Sequence, residues 1–156
     1  MENNRKEQQK WFIDANIFLE ALIDEQSEWL DFLRAFRSSQ KIAVTSTHAI
    51  GEVFRKLLSL EKDNSYFKSK ESILAFYELL EKSGILIQNF SNNCFEIIKI
   101  ITEYDKRLEF KDTLHLASAV DNSAVCFCSL DKGFSEQTVK KFRMKKVSSF
   151  QSYLSK

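Results

Sequence analysis

Proline is absent from this chain of 156 residues, and glycine occurs only three times. Because these two residues are the strongest local breakers, their scarcity predicts a helix-rich chain with short connections. Long hydrophobic runs are also missing, and none approaches the roughly 20 residues that span a bilayer. The polar first ten residues, MENNRKEQQK, contain no apolar signal-sequence core. We therefore expect a soluble, cytoplasmic protein without membrane contact.

Cysteine, histidine and net charge are sparse as well. Three cysteines, an odd number, favour reduced thiols over a disulfide framework. Cys126 and Cys128 alternate on one predicted strand, but no second cysteine pair and no suitably spaced histidine accompanies them, so a zinc site is not expected. The net charge of +1 means that any phosphate-binding surface has to be local. The lack of a glycine-rich phosphate loop excludes nucleotide hydrolysis of the P-loop kind.

Short apolar runs alternate with helix-patterned segments along the rest of the chain. The runs predict strands at 11–14, 41–45, 85–87, 124–128 and, with the poorest pattern, 144–147. Polar residues at 61–70 predict a loop, and a helical turn is expected at the C-terminus. This alternation predicts an α/β fold: a parallel sheet of four or five strands with helices on both faces, in three α/β/α layers. We expect one domain over residues 11–156, preceded by a flexible polar N-terminus at 1–10.

Four acidic residues lie where this architecture would bring them to one edge of the sheet. Asp14 and Asp131 each follow an apolar strand, and the carboxyl ends of parallel strands share one edge. Asp112 lies in the first turn of a helix that leads into the fourth strand, so that turn faces the same edge. Glu52 lies within the first two turns of the helix after the second strand. We call Asp14, Glu52, Asp112 and Asp131 the acidic quartet.

Each member of the acidic quartet also has an ordinary explanation. An aspartate at a strand end is commonly a turn former or helix cap, and one in a first helical turn suits the helix dipole. Glu52 precedes Arg55 and Lys56 at ion-pair spacing. As a set, however, two carboxylates about 4 Å apart repel by on the order of 4 kcal/mol at an effective dielectric of 20. A cation such as Mg²⁺ or Mn²⁺ would relieve that repulsion and supply the chemistry of phosphodiester hydrolysis.

The sequences around the four acids are distinctive. The stretches FIDANIFL, HAIGEVFRKL, FKDTLHLASAV and CSLDKGF resemble, in this order, the four acidic motifs of PIN domains. These domains are metal-dependent nucleases, and many are VapC-type toxins of toxin–antitoxin pairs. The third stretch is the most specific, and the resemblance extends from residue 11 to about residue 147.

The resemblance implies that the acidic quartet binds Mg²⁺ or Mn²⁺ and is catalytic in an endoribonuclease that leaves 5′-phosphate and 3′-hydroxyl ends. It implies that Ser129 lines the site and that Asn16 orients the cluster. Ala15 departs from the family's usual Thr or Ser, so one hydroxyl contact is expected to be missing. A homodimer is implied too and, for a toxin, an antitoxin partner whose segment blocks the acidic cleft.

The histidines and the basic residues near the acids have less specific patterns. His115 lies in the buried helix, and we interpret it as a core residue rather than a ligand. His48, one turn before Glu52, could approach the cleft. Lys132, like Arg55 and Lys56, is interpreted as a solvated charge, with phosphate contact as the alternative.

Three other functions are alternatives to a nuclease. A catalytically inactive PIN fold could bind RNA or protein only. A flavodoxin-like signalling domain requires an acidic pair after the first strand, but Asp14 has no acidic neighbour. A haloacid-dehalogenase-like phosphatase requires a second aspartate two residues after Asp14, where Asn16 stands.

Overall fold

The computed structural model describes residues 8–64 and 67–149. Within them, five strands form one sheet: β1 (Lys10–Ile13), β2 (Ile42–Ser46), β3 (Leu86–Gln88), β4 (Cys126–Cys128) and β5 (Lys145–Val147). All neighbouring strands are parallel, and their order is β3-β2-β1-β4-β5. The predicted parallel sheet is confirmed, including its fifth strand, and β1 lies at its centre.

The described part of the chain contains seven α-helices: α1 (Ala15–Ile23), α2 (Glu28–Ala35), α3 (Thr47–Asp63), α4 (Ser69–Ser83), α5 (Cys94–Tyr104), α6 (Phe110–Asp121) and α7 (Glu136–Lys141). The loop predicted at 61–70 is shorter than expected, because α3 continues to Asp63 and α4 begins at Ser69. Gly84 ends α4 in the left-handed region, with φ of 66°, which glycine adopts at no steric cost. None of the described helices has the length and apolar character needed to cross a membrane.

Alternating side chains of β1 face two separate cores. Trp11 and Ile13 pack in a cluster with α1, α2, α3 and α4 on one side of the sheet. Phe12 faces the other side, where it stacks on Phe127 of β4 at 5.6 Å between ring centroids and packs with α5, α6 and α7. Helices therefore cover both faces of the sheet, and the three-layer α/β/α architecture is confirmed.

Most of the N-terminal segment predicted to be flexible, and all of the predicted C-terminal helical turn, lie outside the described residues. Lys10, the last residue of the segment predicted to be flexible, belongs to β1. The three cysteines are buried and form no disulfide.

Candidate functional site: an acidic cleft at the carboxyl edge of the sheet

Asp14 is the first residue after the central strand, and its side chain is buried. Its backbone N–H donates to the Cys128 carbonyl of β4 at 3.0 Å, and the Thr45 hydroxyl of β2 donates to the Ile13 carbonyl at 2.8 Å. These two bonds tie the ends of β1, β2 and β4 together. Asp14 Oδ1 also accepts from the Ala15 N–H at 2.8 Å and so caps α1. The carboxylate is therefore held rigidly at the middle of the carboxyl edge.

Ser129 holds the other oxygen of Asp14, and Asn16 in turn holds Ser129. The Ser129 hydroxyl donates to Asp14 Oδ2 at 2.7 Å, and its oxygen accepts from Asn16 Nδ2 at 3.2 Å and from the Asp131 N–H at 3.1 Å. Asn16 Oδ1 accepts in turn from the Leu130 N–H at 3.1 Å. This network joins the start of α1 to the turn that carries Asp131. The lining role of Ser129 and the orienting role of Asn16 remain predictions that these contacts support.

The first turn of α6 and the turn after β4 present Asp112 and Asp131 to the same space. The Gly133 N–H donates to Asp131 Oδ1 at 2.7 Å. A Cβ atom added at Gly133 would lie 3.1 Å from that oxygen and 3.7 Å from Asp112 Oδ2. Burial and the charge of Asp131 raise the pKa of Asp112 to about 6. Among the described residues, no hydrogen-bond donor reaches the Asp112 carboxylate.

His115 lies between Asp14 and Glu52. Its Nε2 is 2.6 Å from Glu52 Oε2, and its Nδ1 is 3.4 Å from Asp14 Oδ1. Burial lowers the pKa of His115, but the hydrogen bond to Glu52 and the charge of Asp14 outweigh burial and raise the pKa overall. The same hydrogen bond lowers the pKa of Glu52, whereas burial raises the pKa of Asp14. A single imidazole thus joins two members of the acidic quartet.

The fold brings the whole acidic quartet to one edge, together with a histidine that was not expected there. His115 is buried as predicted, but the interpretation as a core residue missed its contacts with Asp14 and Glu52. Its position three residues after Asp112 places both side chains on one face of α6, which is a signal that the sequence contains. Among the described ion pairs, Glu52 is joined to His115 and not to a basic residue of its own helix.

A cavity of about 400 Å³ opens beside Glu52. It is lined by Thr47, His48, Gly51, Glu52, Arg55 and Lys111. His48 therefore does reach the cleft, and Arg55 adds a positive charge to it. Lys111, which the sequence did not single out, adds another, whereas Lys56 and Lys132 are not among the lining residues. Positive groups beside a carboxylate cluster could hold the phosphates of a substrate.

The carboxylate oxygens of the cleft suit a divalent cation. Carboxylate oxygens are the protein ligands that Mg²⁺ and Mn²⁺ prefer. The Asp112 carboxylate has a like-charged neighbour and no hydrogen-bond donor in the described chain, and its raised pKa reflects that environment. A cation bound there would neutralise both carboxylates and satisfy their oxygens.

A parallel sheet between two layers of helices, with four acids at its carboxyl edge, defines a class of α/β proteins with an acidic cleft. Within that class the chain belongs to the PIN domain family, whose model matches residues 11–140. This finding confirms the family resemblance of the four acidic stretches.

Solved structures share the fold at low sequence identity. A chain in the crystal structure of VapBC2 from Rickettsia felis bound to a DNA fragment from their promoter has 15% identity and a TM-score of 0.65; the match covers 89% of this chain and 98% of that one. A chain of FitAcB from Neisseria gonorrhoeae has 16% identity and a TM-score of 0.55, with coverage of 88% and 96%. Among curated proteins, no sequence matches.

Proposed function

We propose that this protein is a metal-dependent endoribonuclease that hydrolyses phosphodiester bonds in RNA. The observation that carries the proposal is the convergence of Asp14, Glu52, Asp112 and Asp131, from four distant segments, at one edge of the sheet. Membership of the PIN domain family supports it, because PIN domains are generally nucleases.

The acidic quartet would hold one or two Mg²⁺ or Mn²⁺ ions. A bound ion of this kind lowers the pKa of water and stabilises negative charge on a phosphoryl oxygen. The protein supplies the rigid positions: Ser129, itself held by Asn16, holds Asp14, and the Gly133 N–H orients the carboxylate of Asp131. Preorganised ligands of this kind bind an ion without having to rearrange.

Arg55 and Lys111 would position the RNA backbone. Both line the cavity beside Glu52, where a cationic side chain can contact a phosphate while the scissile bond lies over the acids. Such contacts carry little sequence information, so the choice of RNA target would depend on other surfaces or on RNA shape.

We further propose that the protein acts as the toxin of a type II toxin–antitoxin pair in the cytoplasm. The fold shared with chains of VapBC2 and FitAcB supports a partner protein, and an antitoxin segment placed over the acidic cleft would block access of RNA. A homodimer of the nuclease belongs to the same proposal. Measuring the mass of the protein alone tests the homodimer. Measuring the mass after co-expression with the product of an adjoining gene tests the antitoxin partner.

Cleavage of total RNA tests the nuclease proposal directly. We expect the protein to cleave RNA with Mg²⁺ or Mn²⁺ and not with a chelator. The cleavage rate should fall about 100-fold in Asp14→Asn and Asp112→Asn, because a cation contributes several kcal/mol to such a reaction. Asp31→Asn, the same chemical change at an exposed position of α2, is the matched control and should cleave like the parent protein. Circular dichroism and melting curves verify that each variant is folded.

Two outcomes would contradict the proposal. Unchanged cleavage in Asp14→Asn and Asp112→Asn would show that the acidic quartet is not the catalytic centre. A parent protein that neither cleaves RNA nor binds divalent ions would instead be a catalytically inactive PIN fold that binds RNA or protein.

A further inference from the structure

We infer that the Glu52 end of the acidic cleft forms a nitrogen–oxygen site, made by His48, Glu52 and His115, that binds Zn²⁺ in preference to Mg²⁺. We call these three residues the imidazole site. The inference rests on the proposed function in one respect, since it takes the acidic cleft to be a cation site. It differs from that proposal in the ligands and in the ion, because two of the three ligands are imidazoles.

Two helices bring these side chains together. His48 and Glu52 are four residues apart on α3 and so share one face of that helix, while His115 faces them from α6. One donor atom from each residue can be chosen so that all three lie within 4.8 Å of one another. The ligand atoms of a tetrahedral zinc ion lie about 3.4 Å apart. His115 Nε2 and Glu52 Oε2 are only 2.6 Å apart, so a bound ion would replace their hydrogen bond and separate these two atoms. Rotation of the half-buried His48 and Glu52 side chains would adjust the remaining distances.

Two buried ring nitrogens in this cluster lack a hydrogen bond among the described residues, namely His48 Nε2 and His115 Nδ1. Buried polar atoms without a partner are rare in native proteins, and an ion is one of the groups that explain them. The side chain of His115 is 3% exposed, so water does not solvate it freely. A cation ligated through His48 Nε2 would give that nitrogen a partner.

Asp14 stands where a supporting carboxylate is expected behind a metal-ligating histidine. His115 Nδ1 lies 3.4 Å from Asp14 Oδ1, while Nε2 on the opposite side of the ring points at Glu52. Histidine ligands commonly donate their second ring N–H to a carboxylate, which fixes the tautomer and the ring orientation. A slight rotation would convert the Asp14 contact into such a bond and leave His115 Nε2 as the ligand atom.

The two ends of the cleft therefore offer different metal-ligating atoms. Imidazole nitrogen suits Zn²⁺ and its borderline neighbours, whereas Mg²⁺ prefers oxygen ligands in octahedral geometry. Asp112 and Asp131 supply only carboxylate oxygens, so Mg²⁺ should prefer their end. Zn²⁺ should prefer the end with His48 and His115.

Metal titration of the chelator-treated protein tests this assignment. Co²⁺ binding is followed by visible absorption, Zn²⁺ binding by competition with Co²⁺, and Mg²⁺ binding by the shift in melting temperature. In His48→Ala we expect Co²⁺ and Zn²⁺ affinity to fall by at least about tenfold and Mg²⁺ affinity to stay within about twofold of the parent value. Ser59→Ala, at an exposed position of the same helix outside the cavity lining, is the control and should keep all three affinities.

A second measurement uses the unaltered protein and so does not depend on the folding of a variant. The chain contains only two histidines, and both belong to the imidazole site. Zn²⁺ should therefore shift the NMR signals of both imidazole rings at one equivalent, and Mg²⁺ should shift neither to the same extent. Equal responses to the two ions, or unchanged Zn²⁺ binding in a folded His48→Ala protein, would overturn the inference.

The inference and the proposed function fail in different ways. RNA cleavage with Mg²⁺ together with an absence of selective Zn²⁺ binding would remove the imidazole site and leave the nuclease. Selective Zn²⁺ binding without RNA cleavage under any divalent ion would retain the imidazole site and remove the nuclease.

Discussion

Asp14 has a structural role that is compatible with the cation binding proposed for it. Asp14 caps α1 through Oδ1 and accepts the Ser129 hydroxyl through Oδ2. The ordinary explanation of a strand-end aspartate as a helix cap is thus correct for this residue, and it does not compete with cation binding. Capping fixes the carboxylate, and a fixed carboxylate is what a cation site requires.

Gly133 provides a test of how accurately the Asp131 carboxylate has to be placed. In Gly133→Ala the new Cβ would lie 3.1 Å from Asp131 Oδ1, so the carboxylate has to move by a few tenths of an ångström. We expect RNA cleavage to fall about tenfold, because a 1 Å misplacement in an active site can cost about 100-fold. Cleavage rate and Mg²⁺ affinity are measured together, and unchanged values for both would contradict this prediction.

Gly51→Ala is the control for Gly133→Ala, because it makes the same glycine-to-alanine change where the new Cβ meets no neighbour. Gly51 lies inside α3, and a Cβ there would meet nothing within 4 Å. Alanine should therefore raise the free energy of unfolding by up to about 1 kcal/mol through helix propensity alone. Gly133→Ala, which lies in a turn, should lack this gain, so the two variants separate backbone effects from crowding of the acids.

Among the secondary-structure elements, β1 and β4 form the part of the sheet that supports the site. Phe12 and Phe127 stack between these strands and are both fully buried. Phe127→Ala should lower the free energy of unfolding by about 3–5 kcal/mol, because it removes buried surface and leaves a cavity. Phe95→Ala, at a position that is 76% exposed on α5, should change it by less than about 0.5 kcal/mol. Urea unfolding compares the two, and similar losses would show that this stack is not a main support of the sheet.

The junction between α5 and α7 should make stability depend on pH. Buried Asp105 accepts hydrogen bonds from Arg107 and from the Thr138 hydroxyl, the latter at 2.7 Å, and these bonds hold the pKa of Asp105 well below its ordinary value. Because the folded-state pKa is depressed, the stabilisation is fully present above the unfolded pKa of about 3.9. It is lost as the pH falls from there through the folded-state value.

Asp105→Asn tests this linkage. The variant should be less stable than the parent at pH 7, and the difference should shrink as the pH is lowered below about 4. Melting temperatures of both proteins between pH 7 and pH 3 measure this difference in stability. A difference that stays constant over this range would assign the loss to packing rather than to the charge of Asp105.

The intact domain should respond to divalent ions by becoming more stable. The carboxylates of the acidic quartet approach one another only when the three-layer fold is complete, so a bound cation favours the folded state. At an ion concentration of 100 times Kd, binding adds about 2.7 kcal/mol. For a chain of this length we expect a rise in melting temperature of about 5–10 °C. Asp112→Asn should reduce this rise, and an equal rise in both proteins would indicate ion binding elsewhere.

The local pattern of the chain was sufficient to predict much of the architecture. Apolar runs at β1, β2 and β4 are buried on both faces, so the runs themselves identify strands, and their alternation with helices requires parallel pairing. The strand ends then place Asp14 and Asp131 at a common edge. Element boundaries were less accurate, as the extension of α3 to Asp63 shows, because polar residues continue a helix as readily as they form a loop.

Contacts between helices that are distant in sequence could not be predicted in the same way. His48 and His115 are separated by 67 positions, and a histidine spacing suitable for a metal is absent from the sequence. The packing of α3 against α6 brings their rings to 4.7 Å between centroids and points His115 Nε2 at Glu52. The cavity with Arg55 and Lys111 arises from the same packing.

Periodicity therefore determines the parallel sheet and the edge at which the acids gather, because both follow from local hydrogen bonding and from burial of apolar runs. The resemblance of the four acid-bearing stretches indicates the family. Tertiary packing alone decides which side chains touch there. His115, which is expected only as a core residue, contacts both Asp14 and Glu52. Such contacts depend on the relative placement of helices, which no local pattern specifies.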